Sequence, residues 1–372
     1  MKRLSQAAVA LLLLFIPAFF LRLTARDGYK LPPERSILDG GALGELSNHI
    51  RENLPFKERL REMSLSVRAF GGQREYNGIF INGDELIPNL DPPTTDSITR
   101  ENQEAILTFS EEMEIATFCM ILPTASAIRQ ERLPPFSRSR LFNQKQYIED
   151  VYSHMTGRVT VVDVYQVLFN AREQYLYYRT EDGLTSLGGF YVYTELGRRM
   201  LEGIRRPSLS DYDVEYVLDG YQGNLYEHSP FNNARADILS VYRYTESPRE
   251  YMVEKIGEES KIWHTLYPLH AAKIGKPMNI YLGGMEGYGI TTVTGTAPYD
   301  NSLLVFGDHT ALSYLPFLCD HYRTVTLVDL FQLDAEGYES LRVEDYSAAL
   351  FAYSVESFMH NNYASLALRF LE

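Results

Sequence analysis

Residues 115–122 read Ile-Ala-Thr-Phe-Cys-Met-Ile-Leu, an almost unbroken apolar run of strand length that stops at Pro123-Thr124-Ala125. A strand with apolar side chains on both faces needs cover on both, which is the condition of a central strand in an α/β sheet. Similar runs occur at 159–165 (Val-Thr-Val-Val-Asp-Val-Tyr), 303–306, 324–329 and 349–355. Helical spacing of apolar residues fills the intervals at 98–113, 143–155, 186–205 and 310–321. Strands alternating with helices predict an α/β fold with a mostly parallel sheet and helices on both faces. Residues 211–298 show no such regularity and read as an irregular elaboration of the same domain. In sheets of this kind, ligands bind beyond the carboxyl ends of the strands. That selects Pro123-Thr124, the loop after Tyr165, and Gly307-Asp308-His309 as segments that converge on one cleft.

The amino terminus sets the address. Met1-Lys2-Arg3 is basic, and residues 7–21 carry no polar side chain. Basic residues stay on the cytoplasmic side, so the remainder is exported. Bulky residues from Phe19 to Leu23 offer no small-x-small cleavage site, which favours an uncleaved anchor over a signal peptide. A span of about 20 residues crosses a bilayer, and 4–23 supplies it. The expected organisation is a single-pass signal anchor or transmembrane segment at 1–26, a polar stalk at 27–41, and an extracytoplasmic domain at 42–372. That domain opens with a helix over 42–70 and a hairpin around Asn77-Gly78 and Gly83-Asp84.

Composition removes some functions. The formal net charge is −14, which argues against nucleic-acid binding, since that wants a basic face. Tyr occurs 27 times and Trp once. Tyr rings suit sugar recognition and equally fill cores and sheet edges. Cys119 and Cys319 both sit in apolar runs, where buried free thiols are favoured over a disulfide. Nothing in the His, Cys and carboxylate spacing suggests a metal, and the glycines at 283–289 do not join a strand to a helix as a phosphate loop would. No cofactor is expected.

Two segments carry most of the chemical information. One is Tyr177-Tyr178-Arg179-Thr180-Glu181-Asp182-Gly183-Leu184-Thr185-Ser186-Leu187-Gly188-Gly189. The other is Leu303-Leu304-Val305-Phe306-Gly307-Asp308-His309, followed by Leu315-Pro316-Phe317-Leu318 and His321-Tyr322. Together with Leu122-Pro123-Thr124-Ala125, residues 220–226, Asp237-Ile238 and Leu282-Gly283-Gly284, they resemble the DHHW proteins of bacterial cell envelopes. These are relatives of the alginate O-acetylation proteins with an SGNH-hydrolase-like fold. The resemblance runs from about Asn53 to the end of the chain.

The resemblance implies a Ser-His-Asp triad for acyl transfer, in which Ser attacks the acyl carbonyl, His takes its proton and Asp orients His. This sequence departs from it at each position. Glu181 stands in place of the Asp, Gly183 in place of the His, Leu184 in place of the Trp that follows, and His309 in place of the Ser. Met285 follows Gly283-Gly284 where the family has Asn. Losing base and nucleophile together removes the route to an acyl-enzyme, so the resemblance implies a pseudoenzyme. Such a protein would bind an envelope glycan or assist a membrane acyltransferase partner. The alternative is a rebuilt acid–base site around His309, with Asp308, Glu181 and Asp182 supplying carboxylates, acting as an O-acetyltransferase or esterase. Thr124, Tyr178, Arg179 and Gly284 are the expected ligand-cleft residues.

Overall fold

The structure, a computed structural model, describes residues 57–371 except 139, 246–248, 258 and 275. The expected anchor and stalk lie outside the described residues. Among the described residues no helix is long and apolar enough to cross a membrane. Helix α1 (Lys57–Phe70) belongs to a unit of its own. It ends where Gly71 donates its amide to the Val67 carbonyl.

The second unit begins at Gly72. It opens with an antiparallel meander of β1 (Glu75–Tyr76), β2 (Ile79–Asn82) and β3 (Glu85–Pro88). Asn77 and Gly78 both take positive φ between β1 and β2, the geometry of a tight hairpin turn. Helix α2 (Ser97–Met113) then leads into the main sheet.

That sheet has eight strands in the order β5-β4-β13-β11-β12-β10-β8-β9. Five are mutually parallel: β5 (Thr160–Val161), β4 (Ala116–Leu122), β13 (Ala348–Ser354), β11 (Ser302–Gly307) and β12 (Thr324–Val328). Every residue of β13 is buried, as are nearly all of β11 and β12, as continuous apolar runs require. Phe109 of α2 packs edge-on against Phe306 and Phe351, which are neighbours on β11 and β13.

The other three strands, β10 (Tyr288–Gly295), β8 (Tyr251–Gly257) and β9 (Lys261–Trp263), are antiparallel. With the ribbon of β6 (Tyr212–Tyr221) and β7 (Asp237–Tyr244), they occupy the stretch expected to be irregular. They escape a search for apolar runs because Tyr, Thr, charged residues and glycine interrupt them. Lys255 on β8 is fully buried and donates to the carbonyls of Leu282 and Gly284 and to Thr291 Oγ1. Burial pushes its ammonium down to about 7, with the charge of Lys261 adding to the fall.

Two further expectations are corrected. Only Thr160–Val161 of the 159–165 run is strand. Asp163 then accepts the Tyr165 amide at 2.9 Å and the chain turns into the helix Tyr165–Asn170. The single helix expected over 310–321 is a 3₁₀ segment, His309–Ser313, followed by one turn at Leu315–Leu318. Pro316 has no amide hydrogen to continue the first segment. Both cysteines are buried and free, and burial pushes the Cys119 thiol up to about 12.

Candidate functional site

The first motif is shaped before it reaches the cleft. Asp237, fully buried, accepts the backbone amides of Arg179 and Thr180 at 2.8 Å each, together with the Thr180 hydroxyl at 2.5 Å and the Tyr175 hydroxyl. Buried donors left unmade are costly, so one carboxylate fixes the whole turn. Thr185 caps helix α3 (Ser186–Met200) by accepting from the Gly188 amide. At Gly188 a Cβ would run into the Leu176 carbonyl, and at Gly189 into the Ser313 carbonyl. Gly188 therefore seats α3 on the Leu176 carbonyl, and Gly189 seats it directly on the backbone that follows His309. This contact holds the first motif beside the second.

Between them is a pocket of about 260 Å³. It is lined by Pro123 and Thr124 at the end of β4, by His309 and Thr310 after β11, and by Tyr177, Asp182 and Gly183 from the first motif. Ser354, Glu356, Ser357 and Asn361, from the end of β13 and the helix after it, complete the wall. The Pro123-Thr124 and Asp308-His309 segments thus converge as expected. The segment after Tyr165 is helical and does not line the pocket. The β13 residues were not foreseen, although the carboxyl-end rule applies to that strand as well.

Asp308 lies buried beneath the rim. Its Oδ1 accepts the Thr310 amide at 3.0 Å and the Thr310 hydroxyl, and its Oδ2 accepts the Ser354 amide at 2.8 Å. Burial pushes this carboxyl up, but the His309 charge and the bonds from Thr310 and Ser354 outweigh it and hold the group below the usual carboxylate range. Asp308 thereby ties β11 to β13.

Asp182 points into the pocket. The residue keeps part of its surface exposed, yet surrounding atoms strip most of the hydration from its carboxyl. Burial pushes it up to about 6, His309 opposes the rise, and Glu356, Glu181 and Asp308 add to it. Glu181, expected to face His309, turns the other way. It accepts the Asp182 amide at 3.0 Å, the Asn224 amide at 3.2 Å and the Tyr221 hydroxyl, and it packs so closely on Gly223 that a Cβ there would meet Glu181 Oε2 at 2.5 Å.

The other expected cleft residues also lie elsewhere. The Tyr178 hydroxyl is buried against that of Tyr281 at 3.0 Å. The Arg179 guanidinium sits 4.2 Å over the Tyr175 ring. Gly284 gives its carbonyl to Lys255. Of the four, Thr124 alone lines the pocket.

Gly183, where the resemblance implies a base, also lines the pocket. Its φ is +125°, and nothing lies within 4 Å of where a Cβ would be. Residues with a side chain rarely adopt this backbone. His309 is exposed at the pocket mouth and makes no hydrogen bond among the described residues. The pocket hydroxyls are engaged without it. Thr124 bonds Ser126 at 2.9 Å and accepts from Gln144 at 2.7 Å, Thr310 bonds Asp308, and Ser354 bonds Ser357 at 3.1 Å. Among the described residues no three His, Cys or carboxylate side chains are grouped to hold a metal ion.

The family described as DHHW protein matches residues 94–328. A DHHW family protein from Eubacterium siraeum superposes with a TM-score of 0.62 at 18% identity, covering 78% of this chain and 96% of the other. PatB1 of Bacillus cereus does so with a TM-score of 0.61 at 16% identity, covering 77% and 98%. A PatB1 structure with a sulfonyl adduct has the same TM-score, 0.61, at 15% identity, covering 77% and 96%. Among curated proteins none matches the sequence.

Proposed function

The chain belongs to the DHHW family, and from that premise we propose that it is an extracytoplasmic envelope protein whose pocket holds a glycan without carrying out acyl transfer. Residues 1–26 anchor it in the membrane. Its role is to bind the polymer, or to assist a membrane acyltransferase partner that modifies it.

The observation that carries this reading is Gly183. Acyl transfer by a triad needs a general base within hydrogen-bond reach of a hydroxyl. Here the base position is a glycine at φ +125°, and the nucleophile position is the imidazole of His309. The remaining pocket hydroxyls bond Pro123, Ser126, Gln144, Asp308 or one another. None of these bonds involves an imidazole. The full chain in detergent is expected to leave a chromogenic acetyl ester unhydrolysed and to bind a cell-wall or exopolysaccharide fraction. Ester turnover abolished by His309→Ala would overturn the inactive reading, and absence of binding to any glycan fraction would remove the glycan.

One observation favours a second reading. Asp182, with its carboxyl raised to about 6, shares the pocket with His309. A carboxylic acid and an imidazole exchanging protons near neutral pH form an acid–base pair, which would support a rebuilt O-acetyltransferase or esterase. That reading requires ester turnover that disappears in both Asp182→Asn and His309→Ala.

A further inference from the structure

A second pocket, of about 360 Å³, has the size of a small-ligand site and lies at the other end of the sheet. Tyr251 in its wall opens β8 opposite Gly295, whose amide donates to the Arg323 carbonyl just ahead of β12. This is the amino end of the parallel strands, whereas the first pocket lies beyond the carboxyl ends of β4, β11 and β13. Tyr242, Tyr244, Tyr251 and Tyr267 line the second pocket together with Arg243 and Arg249. In a chain of net charge −14, two guanidiniums in one pocket reverse the sign locally.

Each guanidinium is held against a ring. Arg249 lies 5.6 Å from the centre of the Tyr244 ring, and Arg243 lies 5.4 Å from that of Tyr267. An arginine over an aromatic face keeps the N–H donors on its edge for other partners. Arg243 spends its Nε–H on Glu215 at 3.0 Å. Arg249 is half-buried, and among the described residues it makes one hydrogen bond, from Nη1 to the Asp320 carbonyl, and no ion pair. The rest of its fork is unspent. Asp320 is the one carboxylate among the lining residues, and it is engaged elsewhere. It is buried and accepts the Tyr251 hydroxyl at 2.6 Å and the Tyr212 hydroxyl at 3.1 Å. Burial pushes its carboxyl up, against the opposing pull of Tyr251, Arg249 and Tyr212. The Tyr267 hydroxyl is tied to the Tyr242 carbonyl at 3.0 Å. The rings are thus fixed before any ligand arrives, which lowers the ordering cost of binding.

We infer that this pocket is a saccharide subsite for a sugar bearing an oxyanion, carboxylate or phosphate: the oxyanion pairs with Arg249 and Arg243, and the sugar ring lies against the tyrosines. A planar N–H fork matches either oxyanion bidentately, and an amphipathic tyrosine suits the face of a sugar. A neutral sugar would leave the half-buried Arg249 donors unmatched, and an aminosugar would add a further cation. The subsite is separate from the first pocket, so it stands whether or not that pocket holds a glycan.

The test uses the full chain in detergent, with binding followed by calorimetry at pH 7 and low salt. The probes are trigalacturonate, glucose 6-phosphate, maltotriose and inorganic phosphate. One or both of the anionic sugars should bind about tenfold more tightly than maltotriose, and the one that does identifies the oxyanion. Added salt should weaken that binding. Arg249→Gln should lower the affinity about tenfold, and Arg243→Gln, on an exposed residue, should lower it by less. Arg158→Gln removes the same charge from an exposed ion pair with Glu111, beside β5 at the far edge of the sheet, and should change nothing. Thermal melting of each variant confirms that it is folded, and Arg243→Gln carries the test if Arg249→Gln does not fold. The inference is overturned if neither anionic sugar binds, or if the one that binds does so no more tightly than maltotriose or inorganic phosphate. Affinity that is unchanged in both arginine variants, or lowered equally in Arg158→Gln, overturns it as well.

Discussion

Gly189 lies against the carbonyl of Ser313, with no room for a methyl group between helix α3 and the backbone that follows His309. The two motifs that build the pocket are held together by this missing side chain. Gly189→Ala must push the helix away from a backbone that cannot yield as a side chain would. Overpacking of this kind costs about 1–3 kcal/mol, and a carbonyl contact places this site at the upper end. Urea unfolding should show that loss. Gly203→Ala, on an exposed residue with no atom within 4 Å, should lose less, from its positive φ alone.

Restoring the family residues should not restore the family reaction. Gly183→His places a side chain at φ +125°, a backbone that costs about 1–3 kcal/mol when a side chain occupies it. The imidazole would also leave the backbone along a direction set by glycine. The double variant Gly183→His/His309→Ser is therefore expected to be less stable than the parent by about that amount, and inactive on acetyl esters. Recovery of ester hydrolysis would show that the site lost only its side chains and kept its geometry.

Asp182 gives a pH signature. Its carboxyl is raised from 3.8 to about 6 in the folded chain. Between those values the folded state holds more protons than the unfolded, so this residue makes stability fall as pH rises, and its cost is complete above about 6. Asp182→Asn should stabilise the protein at pH 7–8, and the gain should vanish below about pH 4. Melting curves of the two proteins across that range measure it. An Asn variant that is less stable at pH 7 would show that the carboxylate has a stabilising partner.

His321 works in the opposite direction. Its Nε2 lies 2.6 Å from the buried Tyr193 hydroxyl, and its ring stacks on that of Tyr193 at 5.6 Å. Burial pushes the imidazole down from 6.5 to about 4, and Arg249 and Arg206 reinforce the fall. The unfolded state binds more protons between those values, so stability due to this residue is complete above about 6.5 and is lost as pH falls to about 4. His321→Gln should flatten the acid side of the melting profile. An unchanged profile would place the acid-labile group elsewhere.

The parallel half of the sheet was legible because β4, β11, β12 and β13 are apolar on both faces, although the similar run at 159–165 yields only the two-residue β5. The convergence of Thr124 and His309 followed from the carboxyl-end rule, whereas Asp182 was reached only through the family resemblance. The antiparallel half was not legible, because β8 hides its buried position behind Lys255 and β10 packs threonines where an apolar run would have signalled a strand. Nor was the split between Glu181 and Asp182. Neighbours in a turn can point in opposite directions, and here Gly183 at positive φ and the Tyr221–Asn224 segment that captures Glu181 decide which enters the pocket. Ser354 and Glu356 went unnoticed because they lie outside both motifs.

The central claim is that this pocket has no activated nucleophile. The sulfonyl adduct seen in PatB1 supplies the direct test. The full chain is incubated with excess phenylmethylsulfonyl fluoride at pH 7.5 and its intact mass is measured. The account predicts an unmodified mass. A one-to-one adduct mapped to Thr124, His309, Thr310, Ser354 or Ser357 would contradict it.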